Sequence, residues 1–363
     1  MSLQSTFQPR HNSLNALRLL LAWLVIVSHS TALGGYGDEL RVGGETLGGW
    51  AVFGFFGISG YLITRSRMGA RRVSDYYRAR ALRIFPGYIV CLLVVAFAIA
   101  PLSYLFGSTG RYELLDAVTW ALRNLPLYLP FINQPGISDT LADGLVFPNT
   151  WNGALWTIGY EFFCYFAIGV LVSVAKKTHL GAILVVCFCA MTAVRLLAGW
   201  HVIAVPQMLA GALPLGISFS AGALLFIYAQ RVRLNNYTVA IAFGLLLAVI
   251  LAGAATSLAH LPFAYLMLWL GQRLPLQTVG SRYDISYGVY IYAWPVQQCL
   301  ALAFPGQALP YWAFVAVTTV LVIPFAWASC KFIEQPALRL KARQAAAEAL
   351  QGGQDRLATP PVR

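Results

Sequence analysis

Arg18 and His29 lie eleven residues apart in an otherwise almost wholly apolar run, LNALRLLLAWLVIVSHS. On a helix, eleven steps of about 100° return to the same face within about 20° and climb about 16 Å. One face therefore carries a cation at one end and an imidazole near the other, with the small Ala22 and Val25 leaving room between them. Glu161 stands in a second apolar run, about 13 Å along a helix that Asn152 would cap, on a face shared with Thr157, Cys164 and Tyr165. A carboxylate beside an imidazole raises its basicity and fixes its tautomer, which is what general base catalysis needs, so His29 and Glu161 are candidate catalytic partners. Each residue also has a structural reading: Arg18 as a snorkelling helix-end arginine, His29 as a buried hydrogen-bonded histidine, Glu161 as an interhelical bond. Arg195 is a further charge within an apolar run, to be paired with a carboxylate. Ser59-Gly60 permits close helix approach. Tyr283, Tyr287, Tyr290, Tyr292 and Trp294 crowd one run up to Pro295, as an aromatic belt or as the wall of a polar cavity.

The elements that must position these residues are membrane spans. Of 363 residues, 59% are hydrophobic and only 10% charged, with a mean hydropathy of +0.67. An ordinary soluble domain carries roughly 25% charged residues, so a soluble enzyme, a disordered chain and a disulfide scaffold are excluded. Stretches long enough to cross a bilayer fall near 14–33, 47–64, 84–106, 154–175, 180–199, 207–228, 238–257, 260–272, 283–304 and 310–331. The expectation is an all-α integral membrane protein of about ten transmembrane helices with both termini cytoplasmic. Residues 1–340 form one domain with an outer segment at about 107–153, and 341–363 form a polar, disordered tail. The net charge of +12 then becomes topology: Arg65, Arg67, Arg71, Arg72, Arg78, Arg80 and Arg83 fall in one inner loop, and most outer charges are acidic. A nucleic-acid role would need a basic face on a soluble domain, which this composition lacks.

Three further features have bland readings. Arg10 and Arg18, an apolar core to Val27 and Ser30-Thr31-Ala32 outline a cleavable signal peptide, but a retained first span is the preferred reading. The six cysteines (Cys91, Cys164, Cys187, Cys189, Cys299, Cys330) fall in or beside apolar runs without CxxC or zinc spacing, so they read as small buried residues and no metal is expected. The outer segment mixes Tyr112, Trp120, Tyr128 and Trp151 with Asp139, Asp143, Asn133, Asn149 and Asn152, which suits a sugar. The preferred reading of 117–132 is nonetheless an interfacial helix broken by Pro126 and Pro130.

Taken in order, these residues resemble a known family. Arg18-x10-His29, FFGISGYLIT (Phe55 to Thr64), RALRIFPGY ending at Tyr88, NGALWTIGYEFFCYF (Asn152 to Phe166), DISYGVYIYAWPVQ (Asp284 to Gln297) and FIEQP (Phe332 to Pro336) are similar, from about Asn12 to Pro336, to the acyltransferase-3 family of bacterial integral membrane O-acyltransferases. Two departures stand out. Tyr292 and Ala293 occupy the place of a Trp-His pair found in many members, which leaves His29 as the one clear intramembrane base. Glu161 is followed by Phe162 where many members have a second acid. The soluble hydrolase-like C-terminal domain of some members is not expected.

The resemblance implies transfer of an acyl group, commonly acetyl, from cytoplasmic acyl-CoA to a hydroxyl of a carbohydrate or lipid-linked glycan outside the bacterial cytoplasmic membrane. On that reading Arg18, Arg80 and Arg83 would hold the donor's phosphates, because guanidinium forks suit phosphate oxygens, and the pantetheine arm would follow the Ala22/Val25 face. Ser59 joins the donor-site candidates and keeps an acyl-serine route open beside direct transfer. His29 would take the acceptor's proton and Glu161 would orient His29. Asn152, Trp156, Tyr160, Tyr287 and Tyr290 are the candidate acceptor or oxyanion contacts. The competing class is a secondary transporter or flippase with His29, Arg195 and Glu161 as a proton relay, for which the expected inverted repeats are absent from the sequence.

Overall fold

A computed structural model describes residues 2–8, 11–70, 72–127, 136–141 and 145–340. Arg71, Tyr128, Pro130, Asn133, Asp143 and the 341–363 tail lie outside the described residues. Among the described residues the secondary structure is helical but for one small hairpin and an isolated bridge, and every apolar stretch read from the sequence coincides with a helix. They are α1 (Leu14–Leu33), α2 (Leu47–Gly69), α3 (Val73–Phe106), α4 (Leu114–Asn124), α5 (Trp156–Val174), α6 (Lys177–Gly199), α7 (Gln207–Ile227), α8 (Asn236–Leu251), α9 (His260–Arg273), α10 (Ser286–Ala303) and α11 (Tyr311–Leu340). Among the described residues, α1, α2, α3, α5, α6, α7 and α11 are the 7 helices long and apolar enough to cross a membrane. The sequence expectation of ten counted three more. Of these, α8 and α9 are shorter, and α10 is rich in Tyr and Gln.

The polarity of α10 follows from its position. Every residue from Ser286 to Leu302 is buried, so the helix meets other helices and not lipid, and its polar side chains find partners inside the bundle. α8 is the opposite case, with only Ala242 buried along its length. α2 forms the second axis of the core, packing most extensively on α7 and then on α1, α9 and α5, while α10 packs on α1 and α11.

The contact of α2 with α7 rests on glycine. A Cβ on Gly60 would land on the Phe219 carbonyl, and one on Gly222 on the Gly57 carbonyl. The backbones meet with no room for a side chain, the close approach that small residues permit between membrane helices. Gly222→Ala should therefore lower stability by about 1–3 kcal/mol, read as a fall in Tm in detergent. Gly244→Ala on α8, whose Cβ would meet nothing, should leave Tm unchanged.

Two expectations change in detail. The arginine-rich inner loop is largely helical: Arg65 and Arg67 lie in the last turns of α2, and Arg78, Arg80 and Arg83 on the first turns of α3. Arg67 is buried, donating to Ser173 Oγ at 2.8 Å and Gly169 O at 3.4 Å, so it joins α2 to α5 and is not free for a ligand. The helix expected across 117–132 is α4, which starts earlier and stops at Asn124, two residues before Pro126. Leu114, Leu115 and Leu122 remain exposed on it, as an interfacial helix requires.

Candidate functional site

The site is built from α1, α2, α5 and α10, with two carboxylates from connecting segments. At one end of α1, Arg18 Nη1 donates to Asp284 Oδ2 at 3.0 Å, and Arg83 Nη2 of α3 donates to the same oxygen at 2.9 Å. Arg83 also lies 3.6 Å from Glu334, which α11 buries to 1% exposure. Asp284 sits just before α10, where Ser286 Oγ donates to its other oxygen at 2.6 Å. Burial alone would raise the Asp284 carboxyl, but the guanidinium groups of Arg18 and Arg83 outweigh it and hold it at about 2. Arg80, the third phosphate candidate, makes no ion pair among the described residues, and its Nε is buried with no hydrogen-bond partner.

A narrow cleft opens above this cluster, lined by Arg18, Ser286 and Tyr287 at the arginine end and by Phe55, Glu161, Thr157, Tyr290 and Val52 further in. Its course corrects the expected one: Ala22 and Val25 are buried at 0% and 1%, and the open space runs between α2, α5 and α10. Glu161 Oε1 accepts from Ser59 Oγ at 3.1 Å and from the Tyr165 hydroxyl. The Tyr290 hydroxyl is hydrogen-bonded to Thr157 Oγ1 at 2.6 Å, and Tyr287 donates to Ile84 O at 3.0 Å.

The expected pair of His29 with Glu161 is not formed among the described residues. His29 Nδ1 lies 3.1 Å from Glu39 Oε1, and Ser28 Oγ donates to Glu39 Oε2 at 2.5 Å. A carboxylate only accepts, so Nδ1 carries a proton, and in the neutral ring Nε2 keeps the lone pair. Burial opposes ionisation of Glu39, but the hydrogen bond and charge of His29, with Ser28 and Arg41, hold its carboxyl below the ordinary range. The Trp294 indole packs edge-on to the imidazole at 5.0 Å and is itself tied to Thr150 O at 3.0 Å.

Local chain geometry explains how a loop residue reaches the inside of a helix. α1 ends at Leu33, and Gly35 (φ +72°) and Gly37 (φ +112°) turn the chain back over it. The hairpin that follows pairs Arg41 with Thr46 around Gly43 and Gly44, both at positive φ, and so delivers Leu47 to the start of α2. Gly48 then passes beside the site: a Cβ there would lie 3.1 Å from Ser28 Oγ and 3.7 Å from His29 Cε1. Val52, one turn further along α2, already lines the cleft, so the cleft ends about one helical turn from His29. Gly48→Ala should displace the Ser28–Glu39–His29 group and lower kcat about 10-fold while leaving donor KM unchanged, measured by steady-state kinetics.

A second opening is lined by Asp38, Glu39, Arg41, Thr46, Val146 and Phe147 among others. One space thus meets α1 at Arg18 and the other at Ala32, where Glu39 reaches His29.

The remaining candidates lie elsewhere. Asn152 is 3% exposed and its amide is engaged with Ile291 O at 2.8 Å and Ala154 N at 3.3 Å; it caps a short 3-10 turn ahead of α5 and ties it to α10. Trp156 and Tyr160 pack on one another, and Tyr160 donates to Met208 O at 2.9 Å on α7; neither lines the cleft. His260, which sequence reasoning passed over, is a buried histidine, bonded at both nitrogens to Ser218 Oγ (2.7 Å) and Thr256 O (3.1 Å), with no lone pair to spare. No group of three or more His, Cys, Asp or Glu suited to a metal occurs among the described residues.

Comparison with known proteins matches residues 11–331 to the acyltransferase-3 family, described as an acyltransferase domain. An O-acetyl transferase of Shigella phage Sf6 is 28% identical over 326 residues, covering 88% of this chain and 94% of that protein. Nodulation protein 10 of Rhizobium leguminosarum bv. viciae is 27% identical over 370 residues, covering 91% and 94%. No solved structure matches the chain significantly.

Proposed function

The chain belongs to the acyltransferase-3 family of integral membrane O-acyltransferases, and from that premise we propose that it moves an acetyl group from cytoplasmic acetyl-CoA to a carbohydrate hydroxyl outside the bacterial cytoplasmic membrane. All the helices but α4 are spans in this reading, ten in number, and the excess of Lys and Arg at the Arg18 end makes that end cytoplasmic. The observation that carries it is the arrangement along α1, with a cleft that begins at arginines near one end and an opening that reaches Glu39, the partner of His29, near the other.

Arg18, Arg80 and Arg83 would receive the donor's phosphates at the cytoplasmic mouth, where Arg80 Nε lacks a partner. Glu161, Thr157 and Tyr290 give the cleft a polar wall for the amides of the pantetheine arm. This fits an acyl donor whose thioester reaches the turn below His29. His29 Nε2 takes the proton from the acceptor hydroxyl as that oxygen bonds to the thioester carbonyl carbon. The carbon–sulfur bond breaks, and the proton passes to the departing thiolate, leaving an ester and free coenzyme A. Glu39 is the positioning residue: it holds the tautomer and balances the positive charge that His29 takes on. Glu161, first expected in that place, belongs instead to the donor wall.

Purified full-length protein in lipid nanodiscs, given acetyl-CoA labelled in the acetyl group and a bacterial envelope-glycan extract, should release free thiol and place alkali-labile label in the glycan. Folded protein that releases no coenzyme A with such extracts would overturn the reading.

A further inference from the structure

We propose that the opening beside Glu39 is the acceptor site, and that its acidic loop selects neutral or cationic sugars over anionic ones. The inference rests on the transferase reading and adds to it where the acceptor docks and what charge it bears. Three observations meet here. The opening reaches Glu39, the partner of His29, and shares no lining residue with the donor cleft. Its wall combines hydrogen-bonding groups from Asp38, Glu39, Arg41 and Thr46 with the Phe147 ring, the mixture that a polyhydroxyl ring needs to bond its hydroxyls and stack its CH face. Its charge leans acidic: among the lining residues Asp38 and Glu39 stand against one cation, Arg41, whose Nη1 is engaged with Gly44 O at 3.1 Å.

A carboxylate-bearing sugar would meet two acids at the entrance before it met His29. Like charges at that range cost several kT in a partly enclosed site, and the field also lowers the local concentration of anions. A neutral hydroxyl donor, by contrast, finds carboxylate acceptors. The same loop carries the base's partner, so the segment that contacts the acceptor also holds Glu39 on His29. Phe147 O is in turn bonded by Gln298 Nε2 at 2.9 Å, which anchors the opposite wall to α10.

Charge-selective labelling tests both claims. Val146 lines the opening and is exposed. In right-side-out membrane vesicles, Val146→Cys should react at least about 10-fold faster with cationic methanethiosulfonate ethyltrimethylammonium than with anionic methanethiosulfonate ethylsulfonate, after correction for a free thiol. Asp38→Asn in the same background should narrow that ratio. Labelled protein should lose transfer of acetyl to envelope-glycan extract while binding acetyl-CoA as before. Equal labelling rates, or a ratio unmoved by Asp38→Asn, would overturn the charge selection. Labelled protein that still acetylates glycan at the unlabelled rate would overturn the acceptor assignment. Unlabelled protein that neither binds acetyl-CoA nor releases coenzyme A would instead sink the transferase reading on which both rest, a failure visible before any label is added.

Discussion

His29→Ala will lower kcat by about 10²- to 10⁴-fold, the range a positioned general base contributes, with donor KM little changed and added imidazole restoring part of the rate. The structure makes a companion result as informative. Glu39→Gln should fall by about 10²-fold or more, because an amide can present either an acceptor or a donor to Nδ1 and no longer enforces the tautomer that leaves Nε2 free. Glu39→Asp, which keeps the charge at shorter reach, should recover part of that loss. Glu161→Gln should act differently and raise donor KM, since Glu161 bonds Ser59 and Tyr165 on the cleft wall and not His29. A larger loss of kcat in Glu161→Gln than in Glu39→Gln would reverse the assignment of the two carboxylates. The four variants are to be compared by steady-state coenzyme A release at matched folded fraction.

The helices were legible because the signal for a span is length and apolar composition, and both are local properties. Even α9, with 14 residues, was marked by its own run. What composition did not separate is which helices face lipid. α8 and α10 are alike as apolar runs, yet one buries only Ala242 and the other is enclosed from Ser286 to Leu302. The tyrosines and glutamines of α10 were the available sign, since such side chains are tolerated where helices, not lipid, surround them.

The site was legible where it lies along one helix and illegible where it depends on chain reversal. Arg18 and His29 share a face by periodicity alone. Glu39 lies in a polar stretch that reads as an ordinary outer loop, and only the turn through Gly35 and Gly37 returns it to His29. Glu161 took its place in the sequence reading because it was the carboxylate inside an apolar run, and burial of a charge is a sound reason to suspect function. Its partners are nonetheless Ser59 and Tyr165, the latter one turn away on its own helix. Asp284 was visible as the start of a motif but not as an ion partner, since 266 residues separate it from Arg18. An acid among the cations at the arginine end was the sign to follow.

Asp284→Asn will cost about 2 kcal/mol of stability at pH 7, the linkage value of a carboxyl moved from 3.8 to about 2. A carboxyl lowered on folding contributes in full above its ordinary value, and the contribution fades as pH falls through about 2. The wild-type protein should therefore lose stability below about pH 4 by a slope that the Asn variant lacks, with parallel curves from pH 5 to 8. The variant also leaves Arg18 and Arg83 facing one another without the oxygen that both share at 3.0 and 2.9 Å. Removing one guanidinium should then relieve that repulsion, so Arg18→Gln should be less destabilising in the Asn background than in the wild type. Chemical unfolding of the two single variants and the double variant measures that coupling directly. Additive losses would show that Asp284 does not hold the two arginines together at the mouth of the cleft.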